Sequence, residues 1–117
     1  MTRQQLIEFV EENFNISPDY PFDKEHKTAI FRHKRNRKWF CAIIKVAKNK
    51  IVGDNPKIVD ILNTKCDPML RQPLLNNNGI YEAYHMNKVH WISIILEEVT
   101  IDEIAPLIEM SFNLTKK

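Results

Sequence analysis

The sequence predicts an α+β fold in which an antiparallel sheet carries the terminal helices on one face. Near each end of the chain a capping-box pair, Thr2 with Gln5 and Thr100 with Glu103, precedes apolar residues at helical spacing. Between the two pairs lie five short runs rich in β-branched or aromatic residues. The predicted order is therefore helix, three strands, short helix, two strands, helix.

The two terminal helices have clear sequence limits. Apolar residues such as Leu6 and Val10 recur through residues 2–14, which predicts the first helix. The last helix should extend to about Leu114. Pro106 falls in its second turn, so we expect a kink or a later start of the regular helix.

The first three strands are predicted at residues 28–31, 39–46 and 57–65, and their close succession favours an antiparallel meander. In the second strand, residues 40, 42, 44 and 46 share one face and alternate with residues 39, 41, 43 and 45. We assign one core between the sheet and the terminal helices, made of Leu6, Phe9, Ile44, Val46, Ile92, Ile94, Ile104 and Ile108.

A short helix should begin at Asp67 and Pro68, because Asp accepts from free amides of the first turn and Pro suits its first position. Pro73 lacks a backbone donor, so we expect the helix to end early. Residues 80–86 and 90–96 then flank Asn87-Lys88, which predicts a second hairpin with a two-residue turn.

This turn would place His85 opposite His90 and Tyr84 opposite Trp91. The paired histidines are candidates to bind phosphate, to sense pH or to supply two metal ligands. The alternative is a packed cross-strand cluster that fixes the hairpin. For Tyr84 and Trp91 we favour this structural role, and for the histidines both roles stay open.

Length and composition predict one domain over residues 1–117, ordinary for a globular protein. No charge-free apolar stretch approaches the roughly 18 residues of a membrane span, and the N-terminus lacks signal-peptide organisation. We therefore expect a cytoplasmic protein without membrane association. The net charge is only +2, so attraction to nucleic acid requires a local patch.

The strongest charge run is F-R-H-K-R-N-R-K-W-F at residues 31–40, at the predicted tip of the first hairpin. It is either a phosphate-binding surface or a charged tip that limits edge aggregation. Trp39 and Phe40 are candidates to stack on bases, although alternation places at least one in the core. The basic side chains of the run are Arg32, Lys34, Arg35, Arg37 and Lys38.

Catalytic and metal chemistry are poorly supported by the sequence. Cys41 and Cys66 are too few for a disulfide scaffold and are expected to be buried thiols. No phosphate-binding loop, dinucleotide fingerprint or zinc-ligand spacing is present. We expect no enzymatic activity, cofactor or metal; the enzymatic alternative would pair Cys66 with His85 or His90 as nucleophile and base.

Two strings, N-x-K-C-D-P at residues 63–68 and A-Y-H-M-N-K-x-H-W at residues 83–91, resemble the typical segment of the MmcQ/YjbR family. The segments P-D-Y-P-F, F-R-H, K-W-F and L-I-E-M-S-F-N-L also match it, so the resemblance covers nearly the whole chain. The short helix with Pro73 departs from the more regular family helix. The main motif positions are Cys66, Asp67, Pro68, Tyr84, His85, Met86, Asn87, Lys88, His90 and Trp91.

The resemblance implies an α+β fold in which two β-hairpins project as a double wing, in proteins predicted to bind DNA. Together with the basic run, it predicts a non-enzymatic DNA-binding module that is weak and largely independent of sequence. The first wing would supply the five basic side chains of the run, and the second would supply Lys88 and His90. The alternative is a protein-interaction domain that uses an exposed sheet or helix face, and the sequence indicates neither the strandedness of the DNA nor the oligomeric state.

Overall fold

The structure, a computed structural model, describes residues 1–22 and 27–117. Within them, one antiparallel sheet has the strand order β1-β2-β3-β5-β4, and no helix is long and apolar enough to cross a membrane. The predicted fold class and order of elements are confirmed. The helices are α1 (Arg3–Phe14), α2 (Pro68–Leu75) and α3 (Ile101–Thr115), and the strands are β1 (Thr28–Arg32), β2 (Trp39–Ala47), β3 (Ile58–Lys65), β4 (Ile80–Glu82) and β5 (Trp91–Ile95).

The helix limits follow the predicted caps. The Thr2 hydroxyl accepts from the Gln5 N–H at 3.1 Å, and the Gln5 side chain accepts from the Thr2 N–H at 2.9 Å. Helix α3 begins directly after Thr100 and contains Pro106, so the later start that we considered is not seen. Helix α2 likewise continues past Pro73 to Leu75, although it is short, as predicted.

The main core lies between the sheet and the helices. A row of directly paired, buried residues crosses all five strands on this face: Ala29, Ile43, Leu62, Ile94 and Ile80. Leu6, Ile104 and Ile108 pack in the same cluster, as predicted, with Phe9 at its edge. Burying this many aliphatic side chains is the largest stabilising contribution in the fold.

Two predicted core residues, Ile44 and Val46, lie on the opposite face, where Val46 is part of a cluster that includes Ile61. The cause is a β-bulge: Phe31 pairs with Cys41 and Arg32 pairs with Trp39, which leaves Phe40 as the extra residue. Phe40 is in the main core, but the bulge shifts the alternation by one residue, so the phase we read from it was wrong for the rest of β2.

The bulge is tied to α3 through Ser111, which is fully buried. Its hydroxyl donates to the Phe40 carbonyl oxygen and accepts from the Lys65 N–H at 2.9 Å. One side chain therefore satisfies two backbone groups that the sheet leaves unpaired at this end.

The predicted second hairpin is also wrong in its register. Strand β4 ends at Glu82, which pairs with Ile92, and residues 83–90 form a long loop rather than two strand ends and a tight turn. Trp91 pairs with Lys65 of β3, not with Tyr84.

Candidate nucleic-acid interface

Both connections that were predicted as wings, the tip at residues 33–38 and the loop at residues 83–90, leave the same end of the sheet. In the tip, the His33 carbonyl oxygen accepts from the Arg37 N–H at 3.0 Å, and the His33 N–H donates to the Lys38 carbonyl oxygen at 2.9 Å. Arg37 has a φ of 63°, in the left-handed region where a non-glycine residue costs about 1 kcal/mol or more. The turn keeps an arginine where glycine would be less strained.

Three of the five predicted basic side chains have partners within the protein. The Arg32 Nε donates to Asp19 Oδ2 at 3.0 Å, and the Arg37 guanidinium lies 3.6 Å from the same oxygen. The Lys38 ammonium donates to the Lys117 backbone oxygen at 2.6 Å. Lys34 and Arg35 are exposed and contact no acidic side chain within residues 1–22 and 27–117.

The tip rests on the C-terminal end of α3. His33 is buried, with its Nε2 2.7 Å from the Thr115 hydroxyl and its ring centroid 4.3 Å from that of Phe112. Asn36 donates to the Thr115 carbonyl oxygen at 3.0 Å, which satisfies a group that the helix end leaves open. Burial lowers the pKa of His33; a hydrogen bond to the backbone of Phe112 opposes this shift, and the nearby cations Lys116 and Lys38 add to it.

This docking adds two lysines that the sequence interpretation missed, Lys116 and Lys117. Lys116 is close enough to act on His33, and the Lys117 backbone contacts both Asn36 and Lys38. Two lysines after the last helix indicate a binding surface only when the end of that helix is known to contact the tip. We name the combined set the basic cluster: Lys34, Arg35, Arg37, Lys38, Lys116 and Lys117.

The basic cluster concentrates the charge of the molecule. The whole chain has 17 basic and 15 acidic residues, so the remainder without these six cations is net acidic. The small net charge therefore conceals a local positive surface, as binding to a polyanion would require.

The second loop does not project its basic residues in the same way. The Lys88 ammonium donates to the Ala83 carbonyl oxygen at 2.6 Å, and the Asn87 side chain accepts from the N–H groups of Val89 and His90 at 2.9 and 3.2 Å. His90 is exposed, and its carbonyl oxygen accepts from the Cys66 N–H at 2.8 Å. Lys88 and His90 thus take part in the internal structure of the loop.

The loop is held across the sheet by two fully buried polar residues, Asn63 and Ser93. Asn63 Nδ2 donates to the Tyr84 carbonyl oxygen at 3.0 Å, and the Tyr84 N–H donates to Ser93 Oγ at 2.8 Å. The Ser93 hydroxyl in turn donates to Asn63 Oδ1. Both backbone polar groups of Tyr84 are therefore fixed over the face of the sheet opposite the helices.

Folded in this way, the loop closes one side of a cleft of about 340 Å³ on that face, which we name the aromatic cleft. The rings of Tyr84 and His85 are stacked, with centroids 3.9 Å apart, and His85 has a left-handed φ of 56°. Phe22 meets Trp39 edge to face at 5.9 Å. The lining residues are Phe22, Thr28, Ile30, Trp39, Ile44, Asn63, Tyr84, His85 and Met86.

The predicted pairing of His85 with His90 is wrong, because neither histidine lies in a strand. Cys41 and Cys66 are buried free thiols, as predicted, and burial raises the pKa of both. A raised thiol pKa disfavours the thiolate that a nucleophile needs. Among residues 1–22 and 27–117, no three His, Cys, Asp or Glu side chains are grouped as a metal ion would require.

Two further motif positions, Asp67 and Pro68, have structural roles. Asp67 Oδ1 accepts from the Met69 N–H at 2.9 Å and caps α2, with Pro68 in the first helical position. Arg71 of α2 donates to the Lys88 carbonyl oxygen at 2.5 Å and pairs with Glu82. The two contacts of Arg71 connect α2 to the second loop and to the end of β4.

Comparison with known proteins gives a consistent assignment. The chain is 44% identical to the uncharacterised protein YyaQ of Bacillus subtilis, with 99% of each chain covered. It matches the crystal structure of a Pseudomonas syringae protein with a TM-score of 0.94 and 40% identity, over 98% of this chain and 99% of that one. A Deinococcus radiodurans protein of the DUF419 domain type, 22% identical, shares the fold with a TM-score of 0.73 over 99% of this chain and 79% of that one. The YjbR family model matches residues 14–114, and the chain therefore belongs to the YjbR family.

Proposed function

We propose that this protein binds nucleic acid weakly and without sequence preference through the basic cluster. The observation that carries the proposal is that the tip and the end of α3 bring six cations to one end of the molecule. Phosphate contacts release condensed counterions, and this supplies most of the free energy of non-specific binding. Asp19 offsets part of the charge through Arg37, a member of the cluster, and through Arg32 beside it.

Three features favour a binding role for the tip over solubility alone. Lys34 and Arg35 at the turn are exposed and are not needed for any contact that holds the tip on α3. Arg37 occupies a left-handed position at a cost in backbone energy, and such strain is often found at functional sites. The tip is also held rigidly by His33 and Asn36, so its cations need little ordering when they bind.

The proposed binding positions phosphates and does not read bases. Base discrimination requires bidentate contacts from an element that enters a groove, whereas the cluster lies on the turn at residues 33–38 and on the two residues after α3. If about three of the six side chains contact phosphates, log K should fall against log salt with a slope of roughly −3 on duplex DNA.

The test is fluorescence anisotropy of labelled DNA at several salt concentrations. The variant Lys34→Ala/Arg35→Ala should reduce the salt slope by about two and weaken binding at low salt, with no change in fold. The control is Lys50→Ala/Lys57→Ala, which removes two positive charges at the opposite end of the sheet, where Lys57 pairs with Glu97. An equal loss in both variants would show attraction by net charge alone, and an absence of binding by the parent protein at low salt would remove the proposal.

A second candidate function is supported by a groove between α1 and α3. Two adjoining clefts of about 450 and 710 Å³ share Phe9, and their apolar walls include Phe14, Ile101 and Phe112. The acidic residues on their rims are Glu8, Glu12, Asp102 and Glu109. An apolar groove with an acidic rim fits a basic amphipathic helix of a partner protein.

This candidate is tested with a helical peptide of lysine and leucine, with a glutamate and leucine peptide as its control. Glu12→Lys/Glu109→Lys should weaken binding of the lysine peptide and leave the affinity for DNA at the basic cluster no weaker. Equal affinity of the parent and this variant for the lysine peptide would exclude the groove as its binding site.

A further inference from the structure

The aromatic cleft and the basic cluster are connected through direct contacts. The Arg32 guanidinium carbon lies 5.5 Å from the centroid of the Trp39 ring, which lines the cleft. Arg32 and Arg37 both contact Asp19 Oδ2, and Arg37 belongs to the cluster. A ligand that spans the two regions would therefore meet rings at one end and cations at the other.

We propose that the aromatic cleft takes an unstacked base of a single-stranded nucleic acid whose phosphates lie on the basic cluster. This inference rests on the proposed function and adds to it the type of strand. Bases in a duplex are paired and stacked, whereas the bases of a single strand are free to stack on aromatic side chains. The cleft offers four ring side chains for stacking. They are Phe22, Trp39, Tyr84 and His85, and the His85 ring stacks on that of Tyr84.

The size of the cleft agrees with a ligand as small as one base. Its volume of about 340 Å³ is near the lower end of the roughly 300 to 1,000 Å³ that is usual for small-molecule sites. Phe22 lines the cleft against Trp39 and is 63% exposed. Stacking on a base would cover this ring.

The buried amide of the cleft and the neighbouring Arg32 contribute little to discrimination between bases. Asn63 uses its Nδ2 on Tyr84 and its Oδ1 on Ser93, and Arg32 is paired with Asp19. Asn63 is fully buried, so the second N–H of its amide and the second lone pair of its oxygen are not exposed to a base edge. Stacking alone tolerates every base, in agreement with binding that does not depend on sequence.

The decisive experiment compares a labelled eight-nucleotide oligo(dT) with an abasic oligonucleotide of equal length and charge. The basic cluster acting alone predicts equal affinity for the two, whereas a base in the cleft predicts tighter binding of oligo(dT) by about tenfold, a typical effect of one stacked base. Equal binding of both would overturn this inference and leave the proposed function standing. Binding of neither would overturn the proposed function and this inference with it.

Variants locate the effect. Phe22→Ala/His85→Asn should remove the advantage of oligo(dT) and leave the affinity for the abasic strand unchanged; asparagine tolerates the left-handed backbone at residue 85. The control is Met69→Ala, which removes an 87% exposed apolar side chain outside the cleft. An advantage of oligo(dT) that persists in the double variant would contradict the inference.

Trp39 provides an independent readout. The chain has two tryptophans, so Trp91→Phe leaves Trp39 as the single indole fluorophore. Oligo(dT) should quench its fluorescence and the abasic strand should not. Equal quenching by both strands would place the effect on the phosphates rather than on a stacked base.

Discussion

The tip at residues 33–38 and the loop at residues 83–90 leave the same end of the sheet, yet they are held in opposite ways. The tip packs on the end of α3 through His33, and Ser111 supports the bulge beside it, while Arg32 at the base of the tip reaches Trp39 of the aromatic cleft. The loop is bound to Asn63 and Ser93 on the face opposite the helices. In each case a buried polar side chain outside the connection, Ser111 of α3 or Asn63 of β3, fixes the path of the backbone.

The difference also separates two uses of a basic residue. In the tip, Lys34 and Arg35 are exposed and form no ion pair with the described part of the chain. In the loop, Lys88 donates to the Ala83 carbonyl oxygen. Lys38 of the tip donates to the Lys117 backbone oxygen in the same way, so Lys34 and Arg35 are the basic side chains of the tip that are most open to a partner.

The largest effect is expected at Asn63. Asn63→Ala removes the donor to the Tyr84 carbonyl oxygen and leaves a small cavity in a fully buried site, at a cost of about 2 to 4 kcal/mol in the free energy of unfolding. Urea denaturation measures it, with Asn49→Ala, an exposed site, as the control. A loss below about 0.5 kcal/mol would mean that the loop does not depend on Asn63.

A somewhat smaller effect is expected on the side of the tip. Ser111→Ala leaves the Lys65 N–H and the Phe40 carbonyl oxygen without their partner, which should cost about 1 to 3 kcal/mol. The hydroxyl of Thr64 lies 3.5 Å from the same Phe40 oxygen and limits the loss. Hydrogen exchange at the Lys65 amide should rise more in this variant than in Asn63→Ala; the reverse order would contradict the assignment of the two residues to separate regions.

The pH dependence of stability should come in part from His33. Its pKa in the folded protein is lowered from 6.5, chiefly by burial, so the unfolded chain binds the proton more readily. The contribution of His33 to the free energy of unfolding should therefore be fully present above about pH 6.5 and should be lost as the pH falls below that value. Urea titrations at several pH values should show that the free energy of unfolding falls less at low pH in His33→Gln than in the control His90→Gln. Equal falls in both variants would exclude His33 as a source of the pH dependence.

The smallest effect on stability is expected at Arg37. Arg37→Gly relieves the left-handed strain of about 1 kcal/mol and loses only an exposed ion pair, so stability should stay within about 1 kcal/mol of the parent. Affinity for DNA should nevertheless fall, because a cation of the cluster is lost. A clear loss of stability would show that the Arg37 contact with Asp19 holds the tip.

The outcomes at β2 show why sequence alternation has limits. Both faces of this strand are apolar, since Ile43 lies in the main core and Val46 in the cluster on the other face. Period-two alternation then gives two equivalent phases, and the bulge at Phe40 made the wrong phase appear consistent. The same reasoning succeeded for α1 and α3, where one helix face is polar and the phase is unambiguous.

By itself, the sequence determined the order of the elements, the helix starts at Thr2, Asp67 and Thr100, the buried thiols, the family resemblance and the basic run. These depend on local chemistry: caps, turn residues and hydrophobic period act within a few residues. Only the tertiary structure decided the face of β2, the path of residues 83–90 and the addition of Lys116 and Lys117 to the basic cluster. Each of these depends on a contact between residues far apart in the chain, such as Asn63 with Tyr84 or Asn36 with Thr115, and no local pattern encodes such a contact.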